Sequence, residues 1–333
     1  MSNPSFIPTF VDAERIKLKA SIMIEGLTGK GKSGLALAIA HVLANKDWSK
    51  IAVIDTENQS SNLFVGIDSS NGETFGKFKV FQLTPDIGFR PTNYIYAREM
   101  ACKELGAEVV IEDSISHAWM YQGGVLDLVN TAKSNNPRFA KDSYAAWSDE
   151  TVAKEKNELL RLLRDPNCHV ISTVRVKEKF EYTTDDKGKN TLTSLGEQQI
   201  QQADLKYEPD LVLHMLRPGR RRGEKVTYPK AKVIKSRYQI FDEGEEYEFT
   251  PELIAQLKEY LESGADPNKI LEQQRQEYIE AVKNYLQSFK GTAKHDQVMA
   301  IWKELKKMAG HESTKLEDIP LEDIRKLFVN ITS

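Results

Sequence analysis

Gly26, Gly31, Lys32 and Ser33 fall in the spacing G-x-x-x-x-G-K-[S/T]. A loop of this kind wraps phosphates in backbone N–H groups, while its lysine and hydroxyl reach the terminal phosphates and Mg²⁺. Gly26, Thr28, Gly29, Lys30, Gly31, Lys32, Ser33 and Gly34 are therefore the expected phosphate contacts, with Ser33 also expected at the metal. Hydrolysis of a nucleotide further requires a carboxylate near the metal, a group that orients water, and positive charge for the transition state. Asp113 closes the apolar run Val109, Val110, Ile111, with Glu112 just before it. Adjacent strand residues point to opposite faces, so one of the two faces the site, and Asp113 is the expected metal-side residue. Glu57 follows a second apolar run, Ile51 to Asp55. It reaches the phosphate side and activates water if its strand lies beside the loop strand; otherwise it only caps a strand end.

These residues need a strand before the loop and a helix after it. Ile22, Met23 and Ile24 supply the strand, and Gly34 to Ala44, rich in Ala and Leu and free of Pro, supplies the helix. Phosphate then sits at a helix N-terminus, where unpaired N–H groups and the helix dipole favour anions. Further strands are expected at Phe78 to Leu83, Val109 to Ser114, His169 to Arg175, Leu211 to Leu216 and Lys225 to Ile234. Helices are expected at Pro91 to Leu105, capped by Gly106, and at Thr151 to Arg164. The alternation implies an α/β fold, a mainly parallel sheet flanked by helices, with ligands at the carboxyl ends of the strands.

The polar stretch 178–206 reads as a functional or disordered connection. From Thr250 onward helix formers dominate, punctuated by Pro at helix starts and Gly after helix ends, which predicts a small all-helical C-terminal domain. The expected organisation is an N-terminal arm over 1–17, an α/β domain over 18–248 and a helical domain over 249–333. The arm carries Phe6, Ile7 and Phe10, which pack on a neighbouring subunit or on their own domain.

With a net charge of −3, no global field advertises nucleic acid, yet nine Lys/Arg face one acidic residue between Met215 and Arg237. Two cysteines exclude a disulfide framework and point to a reducing cytoplasm. No close His or Cys pairing suits zinc, no apolar stretch reaches a membrane span, and no signal peptide is legible.

Val53 to Glu57, Val110 to Ser114 and Val170 to Arg175 resemble, in turn, the second strand with its catalytic glutamate, the Walker B strand and the γ-phosphate-sensor strand of the RecA superfamily. The last would place the sensor at Thr173, where RecA has Gln. Asp113 to Trp119, Ala146 to Ser148, His169 to Lys177 and Leu205 to Leu213 are similar to signatures of bacteriophage RecA-like P-loop ATPases, over roughly residues 15 to 245. The resemblance implies ATP and Mg²⁺ as cofactors, Glu57 as base, and an ATPase working on DNA in phage recombination or replication. It also implies Lys235 and Arg237, one face of a late strand, as cations offered to the nucleotide of the next subunit in a ring or filament.

Single-stranded DNA is the expected partner, gripped by the Arg217 to Arg222 turn and the 178–206 stretch, with Phe180, Tyr182 and Tyr207 as stacking candidates. A single-strand-binding or annealing protein is a further candidate partner, and the setting is the bacterial host cytoplasm. The alternatives are a hexameric helicase-type motor and a nucleotide-switched assembly platform that touches no nucleic acid.

Overall fold

The computed structural model describes residues 13–68, 74–142, 144–184, 190–216 and 228–332. Backbone contacts divide the chain into two compact units, Leu18–Leu261 and a second made of Met1–Lys17 with Glu262–Ser333.

In the first unit the order is β1 (Ser21–Gly26), α1 (Lys32–Leu43), β2 (Ile51–Asp55), β3 (Lys79–Gln82), α2 (Pro91–Leu105) and β4 (Val109–Asp113). There follow α3 (Ser116–Met120), α4 (Val125–Asn135), α5 (Pro137–Lys141) and α6 (Glu150–Arg161). The unit continues with β5 (His169–Thr184), β6 (Asn190–Gln199), β7 (Leu211–Met215), β8 (Lys230–Ser236), β9 (Glu246–Glu248) and α7 (Pro251–Glu262). The strands form one sheet in the order β3-β2-β4-β5-β1-β7-β8-β9, with β6 paired to β5. The pairs from β3 to β7 are parallel, and β6, β8 and β9 pair antiparallel. This is the α/β class read from the alternation of strands and helices.

Strand alternation assigns each side chain to a face. Ile22, Ile24, Val53, Val109, Ile111 and Ile171 join α1 and the buried face of α7 in one core cluster. Met23, Ile54, Val110 and Val170 join Tyr94, Ile95 and Leu159 in the other. Ile254, Leu257 and Leu261 of α7 lie in the first cluster, so this helix packs with the α/β unit, and the contact division falls at its last residue, between Leu261 and Glu262.

One expectation changes. The stretch from 178 is largely strand: β5 continues to Thr184 and pairs antiparallel with β6 from Val176↔Gln199 to Thr184↔Asn190. Thr, Tyr and Phe favour extended backbone, and a two-stranded ribbon satisfies their backbone groups without an alternating apolar pattern.

The second unit contains α8 (Pro267–Ser288), α9 (His295–Met308) and α10 (Leu321–Thr332) around Ile279, Val282, Trp302, Ile324 and Leu327. Ile16 bridges to Ala265, and Arg15 donates to the Ser263 carbonyl at 2.6 Å. The Phe6, Ile7 and Phe10 arm lies outside the described residues. Among the described residues no helix is long and apolar enough to cross a membrane.

Candidate functional site

β1 ends at Gly26, where φ is +154° and a Cβ would approach Met215 Cβ to 2.9 Å, so only glycine lets the chain leave the strand here. The loop closes on Gly31, the left-handed N-cap of α1 at φ +86°. Thr28 and Gly29 are exposed and Lys30 is half-buried, leaving the loop open on its outer side. Lys32 is buried beneath it and donates to the carbonyls of Gly26 (3.0 Å) and Leu27 (3.1 Å). Burial lowers its pKa, against the pull of the nearby Glu57 and Asp113 carboxylates. Among the described residues no carboxylate is hydrogen-bonded to the ammonium, which stays directed at its own loop: a cation available to an incoming anion.

Ser33, one residue on, donates to Asp113 Oδ2 at 2.5 Å, and Thr173 of β5 donates to Asp113 Oδ1 at 2.5 Å. Burial raises the Asp113 pKa, and the two hydroxyls oppose it. Alternation sends the neighbouring acids to opposite faces. Asp113 shares its face with Ile111 and α1, whereas Glu112 turns to the α2 side. There it pairs with Arg98 at 2.8 Å and accepts from Ser172 at 2.9 Å. Glu112 is fully buried, and burial pushes its pKa up to about 7 despite Arg98. Its oxygens are committed to packing the far side of the sheet.

Glu57 follows β2, which is separated from β1 by β4 and β5. It nevertheless reaches the site, because the loop after β2 bends back. Asp55 accepts from the Glu57 N–H (2.7 Å), the Ser61 N–H (2.9 Å) and the Ser61 hydroxyl (2.5 Å), and Asn58 and Gln59 take left-handed conformations between them. Glu57 Oε1 is held by Arg175 Nε at 2.7 Å. Arg175 in turn donates to the Tyr121 hydroxyl at 3.4 Å, and its N–H to Ser116 Oγ at 2.9 Å.

Thr173 and Arg175 are two apart on β5 and therefore share a face. The hydroxyl expected to sense phosphate is committed to Asp113, and the residue that grips the candidate base is Arg175. Sequence reading passed over Arg175 as the end of a strand. The signal available was the i, i+2 spacing from Thr173, on a strand already assigned to the site.

Two further features border the site, the first at His117, which the sequence offers as a relay of nucleotide state or as a core residue. Thr56 Oγ1 accepts from the Ser114 N–H (2.8 Å) and lies 2.6 Å from His117 Nδ1, tying β2 to the segment after β4. Burial lowers the His117 pKa to about 4, so the ring is neutral near pH 7. At the end of β1, Glu25 holds His214 Nδ1 at 2.9 Å, and Glu197 of β6 lies 3.3 Å from His214 Nε2.

Lys235 and Arg237 are not brought to this site. Because β8 runs antiparallel to β7, with Leu211 opposite Ser236, both lie at the sheet end away from Gly26. Lys235 donates to the carbonyls of Tyr207 and Pro209, and Arg237 pairs with Asp210 at 3.0 Å. Tyr207 is exposed. The Arg217 to Arg222 turn lies outside the described residues, as do the side chains of Phe180 and Tyr182.

Among the described residues no three His, Cys, Asp or Glu converge on a metal position. The arrangement is instead a phosphate loop at a helix N-terminus, flanked by a hydroxyl-held aspartate and a poised glutamate, at the carboxyl ends of parallel strands. Comparison with curated proteins found none that matches. Residues 18–245 match the AAA domain family, a span that contains every residue of the site just described and most of the 333-residue chain. The chain belongs to the AAA domain family, and its α/β core is that of a P-loop ATPase.

Proposed function

We propose that the protein is an ATPase that binds Mg·ATP and hydrolyses it in work on single-stranded DNA, as an oligomer, in phage recombination or replication. The observation that carries the reading is β5: one strand presents Thr173 to Asp113, presents Arg175 to Glu57, and then runs on into the β5–β6 ribbon. A strand gripped at that ribbon is connected through the continuous backbone of β5 to the residue holding the candidate base.

The donor set fits the cofactors. The positive-φ turns at Gly29 and Gly31 and the unpaired start of α1 suit phosphate. Ser33 Oγ and Asp113 supply the hydroxyl and carboxylate that a magnesium ion takes alongside phosphate and water. When bound, the magnesium nucleotide supplies the transferable phosphoryl group and the charge that offsets its oxygens. Lys32 adds positive charge from beneath the loop. Asp113, its oxygens fixed by two hydroxyls, orients whatever the Ser33 side holds. Glu57 accepts a proton from water at Oε1 or Oε2 once Arg175 shares or releases it.

DNA as substrate is supported by the basic stretch between Met215 and Arg237, whose phosphate affinity is independent of base sequence. For Lys235 and Arg237 to act on a neighbouring subunit, Arg237 must exchange Asp210 for that site. The test is ATP hydrolysis with and without single-stranded DNA, over a salt series. Stimulation that fades as salt rises is expected. Absence of stimulation by any nucleic acid overturns the reading and leaves the nucleotide-switched platform.

A further inference from the structure

Beside Glu57, at the carboxyl ends of β2 and β3, lies a cavity of about 360 Å³. Phe89, His117 and Tyr121 form one wall: the His117 and Tyr121 rings meet edge to face with centroids 4.3 Å apart, and Phe89 lies 5.0 Å from His117. Gln59, Gln82 and Thr84 contribute amides and a hydroxyl. Among the described residues no lysine, arginine, aspartate or glutamate lines the cavity, and His117 is neutral because burial lowers its pKa. Such a lining offers phosphate no counter-charge, and its one imidazole is already engaged with Thr56. Its volume suits one ring system, at the small end of ligand cavities.

One polar atom in the lining is unaccounted for. Gln82 Oε1 accepts from the Gln59 N–H at 3.2 Å, but Gln82 Nε2 is buried with no hydrogen-bond partner among the described residues. An orphaned buried donor is costly, and in a native fold it calls for a reason. The terminal torsion of a glutamine is soft, and because Gln82 lines the cavity, rotation about it can present the amide to a ligand there.

The geometry points to a binding site for a single nucleobase, stacked against the Tyr121 and Phe89 wall with a ring carbonyl or nitrogen accepting from Gln82 Nε2. Stacking against aromatic faces holds any base, and one amide reads an edge that every base offers. The cavity borders the catalytic candidates: Thr56 of its lining is bonded to the Ser114 backbone, and Tyr121 accepts from Arg175, which grips Glu57. A seated base thus touches Tyr121, one hydrogen bond away from the arginine that grips Glu57. The proposal rests on the single-strand reading above only for the source of the base; a free nucleoside is the other source.

The test compares binding of the full-length protein to an oligothymidine strand, to an abasic strand of equal length, and to free thymidine, each repeated with Gln82→Leu. The substitution removes an unsatisfied donor together with the acceptor of the exposed Gln59 N–H, which water can replace, so the melting temperature is expected to change little. The expected result is about tenfold tighter binding of oligothymidine than of the abasic strand. Gln82→Leu should cut that gap to about twofold, with abasic binding unchanged. Equal binding of the two strands by the wild-type protein, or a gap that Gln82→Leu leaves intact, overturns the base site while leaving the single-strand reading standing. If neither strand binds, the single-strand reading fails, and thymidine decides the cavity. Binding lost in Gln82→Leu sustains it, and no binding overturns it.

Discussion

In an Arg98→Met variant the fully buried Glu112 loses the guanidinium at 2.8 Å and keeps only the Ser172 hydroxyl. Burial already lifts Glu112 from 4.5 to about 7 with Arg98 in place, so without that cation the carboxyl is held higher still. The sign follows from linkage. A carboxyl with a raised folded-state pKa binds its proton more tightly in the folded protein. Stability is therefore intact below the unfolded value and is lost as pH climbs from 4.5 through the folded value. A shift of this size corresponds to about 3 kcal/mol by pH 8 and about 1 kcal/mol at pH 5. Arg98→Met also strips donors from the Arg161, Leu162 and Arg164 carbonyls. That cost is shared by Arg98→Met/Glu112→Gln, in which nothing at position 112 titrates. Urea unfolding of the single and double variants should therefore show a stability gap, double over single, that widens by about 2 kcal/mol from pH 5 to pH 8. A gap that stays constant with pH would refute the assignment of Glu112 as a buried, titrating partner of Arg98.

Lys32→Met should weaken nucleotide binding by about tenfold or more in a calorimetric titration, since a charge-assisted phosphate contact is lost. Its melting temperature should hold, because Lys32 bonds only two loop carbonyls. Asp55→Ala leaves three donors of the Glu57 loop without their acceptor and should cost about 2 kcal/mol in chemical unfolding. It should lower kcat about tenfold or more while nucleotide affinity changes less than about threefold, since the loop rather than the phosphate cradle is released. His214 has its pKa raised by Glu25, so the stability it contributes is full below 6.5 and fades as pH rises through the folded value. Thermal melts of His214→Gln should thus fall further below the wild type at about pH 6 than at about pH 8.5.

The loop from Gly26 to Ser33 was legible because its spacing is local, and it lies between β1 and the start of α1. Asp113 was legible by strand alternation alone, since its choice over Glu112 needs only the face shared with Ile111. Arg175 was not, because its pairing with Glu57 spans 118 residues and depends on which strands lie between β1 and β2. Asp55 read as the end of an apolar strand; nothing in its neighbours says that its carboxylate would fold the next six residues around itself. The polar composition of 178–206 hid the β5–β6 ribbon, because a paired ribbon needs only its backbone hydrogen bonds and no alternating apolar pattern. The cavity beside Glu57 draws on β2, β3 and α3 segments up to 65 residues apart, and no local pattern announces it.

The central claim is that Glu57, positioned by Asp55 and Arg175, serves the phosphate loop as base. Steady-state ATP hydrolysis by Glu57→Gln, with nucleotide affinity measured on the same preparation, tests it most directly. The account predicts a fall in kcat of about a hundredfold or more with affinity held within about threefold. Hydrolysis within a few-fold of the wild type would contradict it.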